Sequence, residues 1–422
     1  MKILMLSWEY PPKVIGGLAR AVADLSQALV EIGHEVAVVT GDWPDCEPTE
    51  YVNGVRVYRA NQFFPKPMGF LDEVHFMNYH LAQKGIELLN SDNFDLVHAH
   101  DWLVAPSAKV LKHAFQKPLI ATIHATEWGR NNGLHNDLQR HISDLEWWLT
   151  YEAYRVICCS RYMEDELRRI FQVPEDKLHV IPNGVRMEEF SNVHADLNQW
   201  RNNWARPEED IVLYVGRHVF EKGIDLLLEA ALEILPKRPC TKFIIAGKGP
   251  MRDELMGRAW DMGLGEKVLF PGFIDDQTRN SLYRLASAAV FPSRYEPFGI
   301  VALEAMAGEA PVIVSDVGGF YETVEHGVNG LTFYAGNAHS LADSILRLLQ
   351  DKALASALKK QALKDVSEDY NWETIALETL ACYGRERAAL RMREPIYERY
   401  HVTAELPQKG APLRESSNHG RR

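Results

Sequence analysis

The chain has 422 residues, 46% of them apolar, with 46 basic against 58 acidic side chains and a net charge of −12. That length suits two or three domains with sizeable cores. The acidic balance argues against nucleic acid or an anionic membrane surface as the main partner, and no run of about 18 apolar residues offers a bilayer span.

Lys2 to Leu6 reads as a strand that runs straight into Ser7-Trp8-Glu9, too short for the core of a signal segment. A loop with Gly16-Gly17 follows. Leu18 to Ile32 carries apolar residues at helical spacing (Leu18, Val22, Leu25, Leu29, Ile32) and stops at Gly33. Glu35 to Val39 is the next strand. Strand, Gly-rich loop, helix and strand make a βαβ unit of a parallel sheet. The Gly16-Gly17 pair lacks the full Gly-x-Gly-x-x-Gly pattern, so by itself it reads first as a pair of turn glycines and only second as a phosphate approach.

Residues 41 to 75 read as irregular, with a possible strand at Val55 to Tyr58. Strands then end at His100, His124, Ser160 and Ile181. His100, Asp101, His124 and Asn183 gather just past these ends, the edge where open α/β sheets bind ligands. Arg186 to Asp210 is a polar linker. A second α/β series begins at Ile211 to Val215, which ends in Gly216-Arg217. Glu221-Lys222-Gly223 opens its first helix, and Lys242 to Ala246 leads into Gly247. Further strands are expected at Val268 to Phe270, Ala288 to Phe291 and Val312 to Val314. A last helix from Asp369 to about Arg393, before Pro395, is free to cross back to the first domain. We divide the chain into domains at 1–190 and 208–368, a return helix at 369–394 and a disordered tail at 401–422. The five scattered cysteines form no Cys-x-x-Cys pattern, which points to the cytoplasm.

The organising stretch runs from Ser293 to Glu304. It leaves a buried strand and opens a helix at Gly299 and Ile300 without a polar cap. Such a helix start presents backbone N–H groups and a positive dipole end, an anion site. Glu296 and Glu304 bracket it; two solvated acids on an amphipathic helix are the plain alternative. Arg217 and Lys222 add two cations at the same sheet edge and suit a diphosphate, unless Glu221 pairs with them. No Asp-x-Asp is present to hold a metal-bound diphosphate, so we expect neither metal nor other cofactor. Two glutamates near a sugar also fit a retaining hydrolase, which has no need of a pyrophosphate cradle.

These pieces, with Tyr10-Pro11-Pro12, His98-Ala99-His100-Asp101-Trp102, Thr122-Ile123-His124-Ala125-Thr126-Glu127 and Pro182-Asn183-Gly184-Val185, resemble the retaining GT-B glycosyltransferases of family 4. The likeness is greatest to glycogen-synthase-like α-1,4-glucosyltransferases. It implies two Rossmann-like doubly wound domains facing across a cleft. It also implies glucose transfer from a nucleotide-glucose to an α-glucan. In this likeness Arg217 and Lys222 hold the leaving diphosphate, and the amides of Gly299 and Ile300 grip sugar and phosphate. Glu296 binds sugar hydroxyls and Glu304 the ribose. Gly16 and Gly17 close on the phosphate, and Gly216, Gly247 and Phe298 line the nucleotide side. His124 and Asn183 reach the sugar 6-hydroxyl, and Asp101 lies toward the acceptor. Starch and glycogen synthases usually carry Lys-x-Gly-Gly in the first loop; that frame falls on Val14, with Lys13 one residue off, which weakens the case for ADP-glucose. The alternatives are another acceptor (glucose 1-phosphate, a lipid or a small sugar), a sugar-nucleotide epimerase of the same fold, and a non-catalytic nucleotide-sugar binder. Oligomeric state is not legible in these residues.

Overall fold

The computed structural model describes residues 1–60 and 69–392, with side chains described as far as Gly384. The expected tail at 401–422 and the end of the last helix at Arg393 lie outside them.

The first domain is built on an eight-stranded sheet. Its strands are β1 (Lys2–Ser7), β2 (Glu35–Gly41), β3 (Thr49–Val52), β4 (Val55–Ala60), β5 (Leu96–His100), β6 (Leu119–Ile123), β7 (Arg155–Cys158) and β8 (Leu178–Val180). Their spatial order is β3-β4-β2-β1-β5-β6-β7-β8. Every pair is parallel except β3 with β4. The second sheet holds β9 (Asp210–Val215), β10 (Thr241–Ala246), β11 (Val268–Gly272), β12 (Ala288–Phe291), β13 (Val312–Ser315) and β14 (Leu331–Phe333). All are parallel, in the order β11-β10-β9-β12-β13-β14. That is the 3-2-1-4-5-6 order of a dinucleotide-binding fold. Near-continuous apolar runs form these strands because helices cover both faces of a parallel sheet; β1, β9 and β12 are almost wholly buried.

Between β1 and β5, and again between β9 and β12, the order reverses direction. The outgoing loops diverge there and leave a crevice at the carboxyl ends of the strands. The helix Trp372–Met392 returns to the first domain, as expected. Its Trp372, Ile375, Ala376, Cys382 and Tyr383 share one core with Ile3, Met5, Val22 and Leu25.

Two edge strands and a long helix are among the elements that went unread in the sequence. The edge strands β3 and β14 are four and three residues long, too short to show a period. The helix Phe70–Ser91 begins inside the stretch expected to be irregular. Its start has no side-chain cap, only Gly69, so no start signal marks it.

Candidate active site

β9 and β12 pair, so their outgoing loops are neighbours. One carries Gly216 and Arg217 and turns through Lys222; the other runs from Pro292 to Gly299. Gly223 sits at φ +64, where a Cβ would strike the Pro292 carbonyl oxygen. Only glycine lets the two loops lie this close. Lys222 Nζ lies 2.6 Å from Glu296 Oε2, and Ser293 Oγ donates to the same oxygen at 3.0 Å. Arg217 is exposed and makes no ion pair among the described residues. Glu221 pairs with neither cation there, so the surface-pairing alternative is not what the fold adopts.

The helix Ile300–Ala307 starts at Gly299, with φ +95 and no side-chain cap. A Cβ at Gly299 would run into the Phe320 ring. No side chain therefore caps the amides at this helix start. Across the cleft, Gly17 brings its Cα within reach of Ile300: a Cβ there would lie 3.3 Å from Ile300 Cγ2. Gly16 holds the same relation to Arg217 Cδ at 3.9 Å. This loop is fastened by Glu9, whose Oε2 accepts from the amides of Ile15 and Gly16, the latter at 3.2 Å. Burial pushes the Glu9 carboxyl above its ordinary range. Sequence reasoning missed Glu9; its one signal was its place just past the end of β1. Lys13 turns away, with Nζ 4.0 Å from the centre of the Trp8 ring.

Glu304 is 7% exposed. Arg20 Nε stands 3.8 Å and Arg279 Nη1 3.5 Å from its Oε1, while Arg20 Nη2 lies 2.5 Å from Asp276 Oδ1. Arg20 belongs to the helix Gly17–Glu31, so these pairs cross between domains. The space bounded by Arg20, Asp24, Val185, Ile300 and Glu304 measures only ≈ 10 Å³, room for about one water. A second, open groove of ≈ 570 Å³ lies past β10 and β11, lined by Lys248, Arg252 and Phe273 among others. Gly247 hydrogen-bonds to Gly272 at 2.8 Å beside it, and Gly216 to Ala246 at 3.0 Å.

On the first domain, His124 N donates to Asp101 Oδ1 at 2.7 Å. Asp101 stands at φ 62, ψ 170, a conformation costly for any residue but glycine. The carboxylate expected to meet the acceptor is thus already engaged in holding the His124 backbone. Asn183 follows β8 and makes no hydrogen bond among the described residues; two residues on, Val185 N donates to Tyr370 O at 2.9 Å. Phe298 is placed by packing. Its side chain is 5% exposed and lies edge-on to Tyr370, so its ring packs the interior.

The same Ser293–Glu304 stretch also docks onto the first domain. Tyr295 OH donates to Glu166 at 2.9 Å and accepts from Thr126 N at 3.3 Å. Ser160 Oγ donates to the Pro297 carbonyl at 2.6 Å. Glu322 caps the helix Arg161–Phe171 by accepting from the amides of Arg161 and Tyr162.

Residues 15–189 match Glycosyltransferase Family 4, and residues 196–365 match Glycosyl transferases group 1. An uncharacterized glycosyltransferase of Methanocaldococcus jannaschii is 41% identical over 91% of this chain and 98% of its own. The chain belongs to the family 4 glycosyltransferases. The enzyme is also 36% identical to the glycogen synthase of Mycobacterium tuberculosis, over 94% of this chain and 97% of that one. Among solved structures, the sucrose-phosphate synthase of Thermosynechococcus elongatus superposes with a TM-score of 0.81 at 29% identity. That match covers 92% of the enzyme and all of its counterpart. The enzyme is therefore a GT-B transferase of sugar from a nucleotide-sugar donor, and membership of this family decides against the epimerase alternative. Among the described residues no helix is long and apolar enough to cross a membrane.

Proposed function

We propose that the enzyme moves glucose from a nucleotide-glucose to the non-reducing end of an α-1,4-glucan, with retention of the α configuration. The observation that carries this is the cluster of Arg217, Lys222 and the uncapped start at Gly299, facing Gly16 and Gly17 across the cleft. Its cations and amides stand where charge grows as a diphosphate departs, so they act on the barrier itself. The near full-length relative that makes glycogen supports the glucan acceptor.

In this reading the C1–phosphate bond breaks while the acceptor hydroxyl attacks C1 from the same face. A phosphate oxygen takes the acceptor's proton. Glu296, held by Lys222 and Ser293, orients sugar hydroxyls, and Glu304 accepts from the ribose. The open groove beside Phe273 takes the nucleobase. Cations and amides neutralise the diphosphate without a metal, and the reaction runs in the cytoplasm.

The test is a matrix of ADP-, UDP- and GDP-glucose against maltose, glycogen, glucose 1-phosphate and water, with products read by NMR. An α-1,4 extension of glycogen or maltose supports the proposal; a β product or no extension of either overturns it. Full activity in excess chelator is expected, and strict metal dependence would contradict the metal-free cradle. A small phosphorylated sugar is the second reading for the acceptor, favoured by the superposition on sucrose-phosphate synthase.

A further inference from the structure

His124 shares a buried row of imidazoles that the proposed reaction leaves unexplained. His98 and His100 are 0% and 1% exposed. On β5 they point to the same side, because residues two apart in a strand do, and their ring centres lie 4.1 Å apart. The Tyr383 hydroxyl, on the return helix, lies 2.7 Å from His98 Nδ1, and His98 Nε2 lies 2.7 Å from Thr122 Oγ1. A phenol donating to Nδ1 leaves the His98 proton on Nε2, where the threonine oxygen accepts it. That end of the row is satisfied. At the other end His100 Nδ1 lies 3.2 Å from His124 Nε2. One proton serves that pair. His100 Nε2 is buried and has no partner.

The unpartnered nitrogen decides where the proton sits. If His124 Nε2 were the donor, His100 would have to carry its own proton on Nε2 as a buried N–H bonded to nothing. If His100 Nδ1 is the donor, its Nε2 is a bare lone pair. Orphaned buried N–H groups are the rarer and costlier case. Burial also holds both rings below their ordinary basicity, which favours the neutral forms. We propose that His100 is a positioning residue that keeps His124 as the neutral tautomer with its proton on Nδ1, making His124 a fixed hydrogen-bond donor to the donor sugar's hydroxymethyl oxygen and not an acid or base. The sugar's part of this rests on the proposed glucose donor; the tautomer does not. The charged groups that act on His124 are Asp101, whose Oδ1 holds the His124 amide, and Arg130, itself balanced by Glu127 and Glu146.

The experiment begins with the ligand-free, full-length enzyme labelled with 15N-histidine. Long-range 1H–15N spectra at pH 6 to 8 report which ring nitrogen carries the proton, and the His124 signals are those lost in His124→Gln. Protonated Nδ1 with bare Nε2 is expected; the opposite tautomer, or a doubly protonated ring, overturns the proposal. Because no substrate is present, this result stands apart from the fate of the donor and acceptor assignments. Kinetics then follow. His100→Leu removes the partner and should add an ionisation between about pH 5 and 7 to kcat/KM. It should also lower kcat/KM about tenfold for nucleotide-glucose and leave nucleotide-xylose, which lacks the hydroxymethyl group, unaffected. His100→Asn places an amide N–H near the Nδ1 position and should restore the wild-type profile. An unchanged profile in His100→Leu, or equal losses on both sugars, overturns the proposal. If His100→Leu fails to fold, the wild-type spectrum alone decides.

Discussion

Lys222 and Glu296 stand 2.6 Å apart, so the ammonium proposed to face an incoming diphosphate is already half balanced. The pair keeps Lys222 in place before the donor arrives and still leaves two of its protons for phosphate oxygens. We expect Lys222→Ala to lower kcat by about 10²–10³ with an unaltered circular-dichroism spectrum; near-normal turnover would remove it from the cradle. Glu304 differs, because two arginines approach it. Glu304→Ala should raise the donor KM about tenfold and leave kcat nearly unchanged, and an unaltered KM would sink the ribose role. Asp24 gives the pH prediction. Burial, reinforced by Glu189, pushes it up to about 7 from an ordinary 3.8. Between those values the folded chain keeps a proton that the unfolded chain has released. Stability from this group is therefore lost as pH rises from about 4 to 7, by at most about 4 kcal/mol, and is flat above. Asp24→Asn should flatten that slope in denaturant titrations, and an identical slope in both proteins would refute the assignment.

At the scale of elements, the segment from Ser293 to Glu304 has two duties. One face presents Glu296 and the open helix start; the other sends Tyr295 and Pro297 into the first domain. Gly299 makes both possible by turning the chain at φ +95 against Phe320. Gly299→Ala should cost about 1–3 kcal/mol and weaken nucleotide binding with it, since the displaced helix start no longer aims its amides. Calorimetry of unfolding and of nucleotide binding reads both, and a fully stable variant with normal affinity would contradict this account. The uncapped helix start was legible because glycine followed by an apolar helical run has few other readings. The docking of Tyr295 was not, since Glu166 lies 129 residues away and Thr126 lies 169 away in sequence.

Over the whole molecule, two of the contacts between the domains differ in kind. On the Tyr295–Pro297 side the tyrosine is buried against Glu166. The Arg20–Asp276 and Arg20–Glu304 side is ionic, with space for about one water where the ribose is proposed to bind. Under that proposal we expect donor binding to part the ionic side, with the Tyr295 side as the pivot. Arg20→Ala should raise the radius of gyration of the ligand-free enzyme in X-ray scattering, and added salt should do the same to the wild type. Identical scattering from variant and parent would show that these pairs do not hold the cleft.

By itself the sequence determined the two doubly wound sheets and the return helix, and it named the residues just past the strand ends as candidates for the cleft. Buried parallel strands are continuous apolar runs, and the residues just past them must lie on one edge, so local pattern suffices. The tertiary structure alone decided which of those residues touch. Glu9 on the Gly16 amide, Arg20 on Glu304, Phe298 turned into the core and His100 on His124 all join segments brought together by packing. No period or spacing along the chain encodes a distance between side chains that only folding makes neighbours.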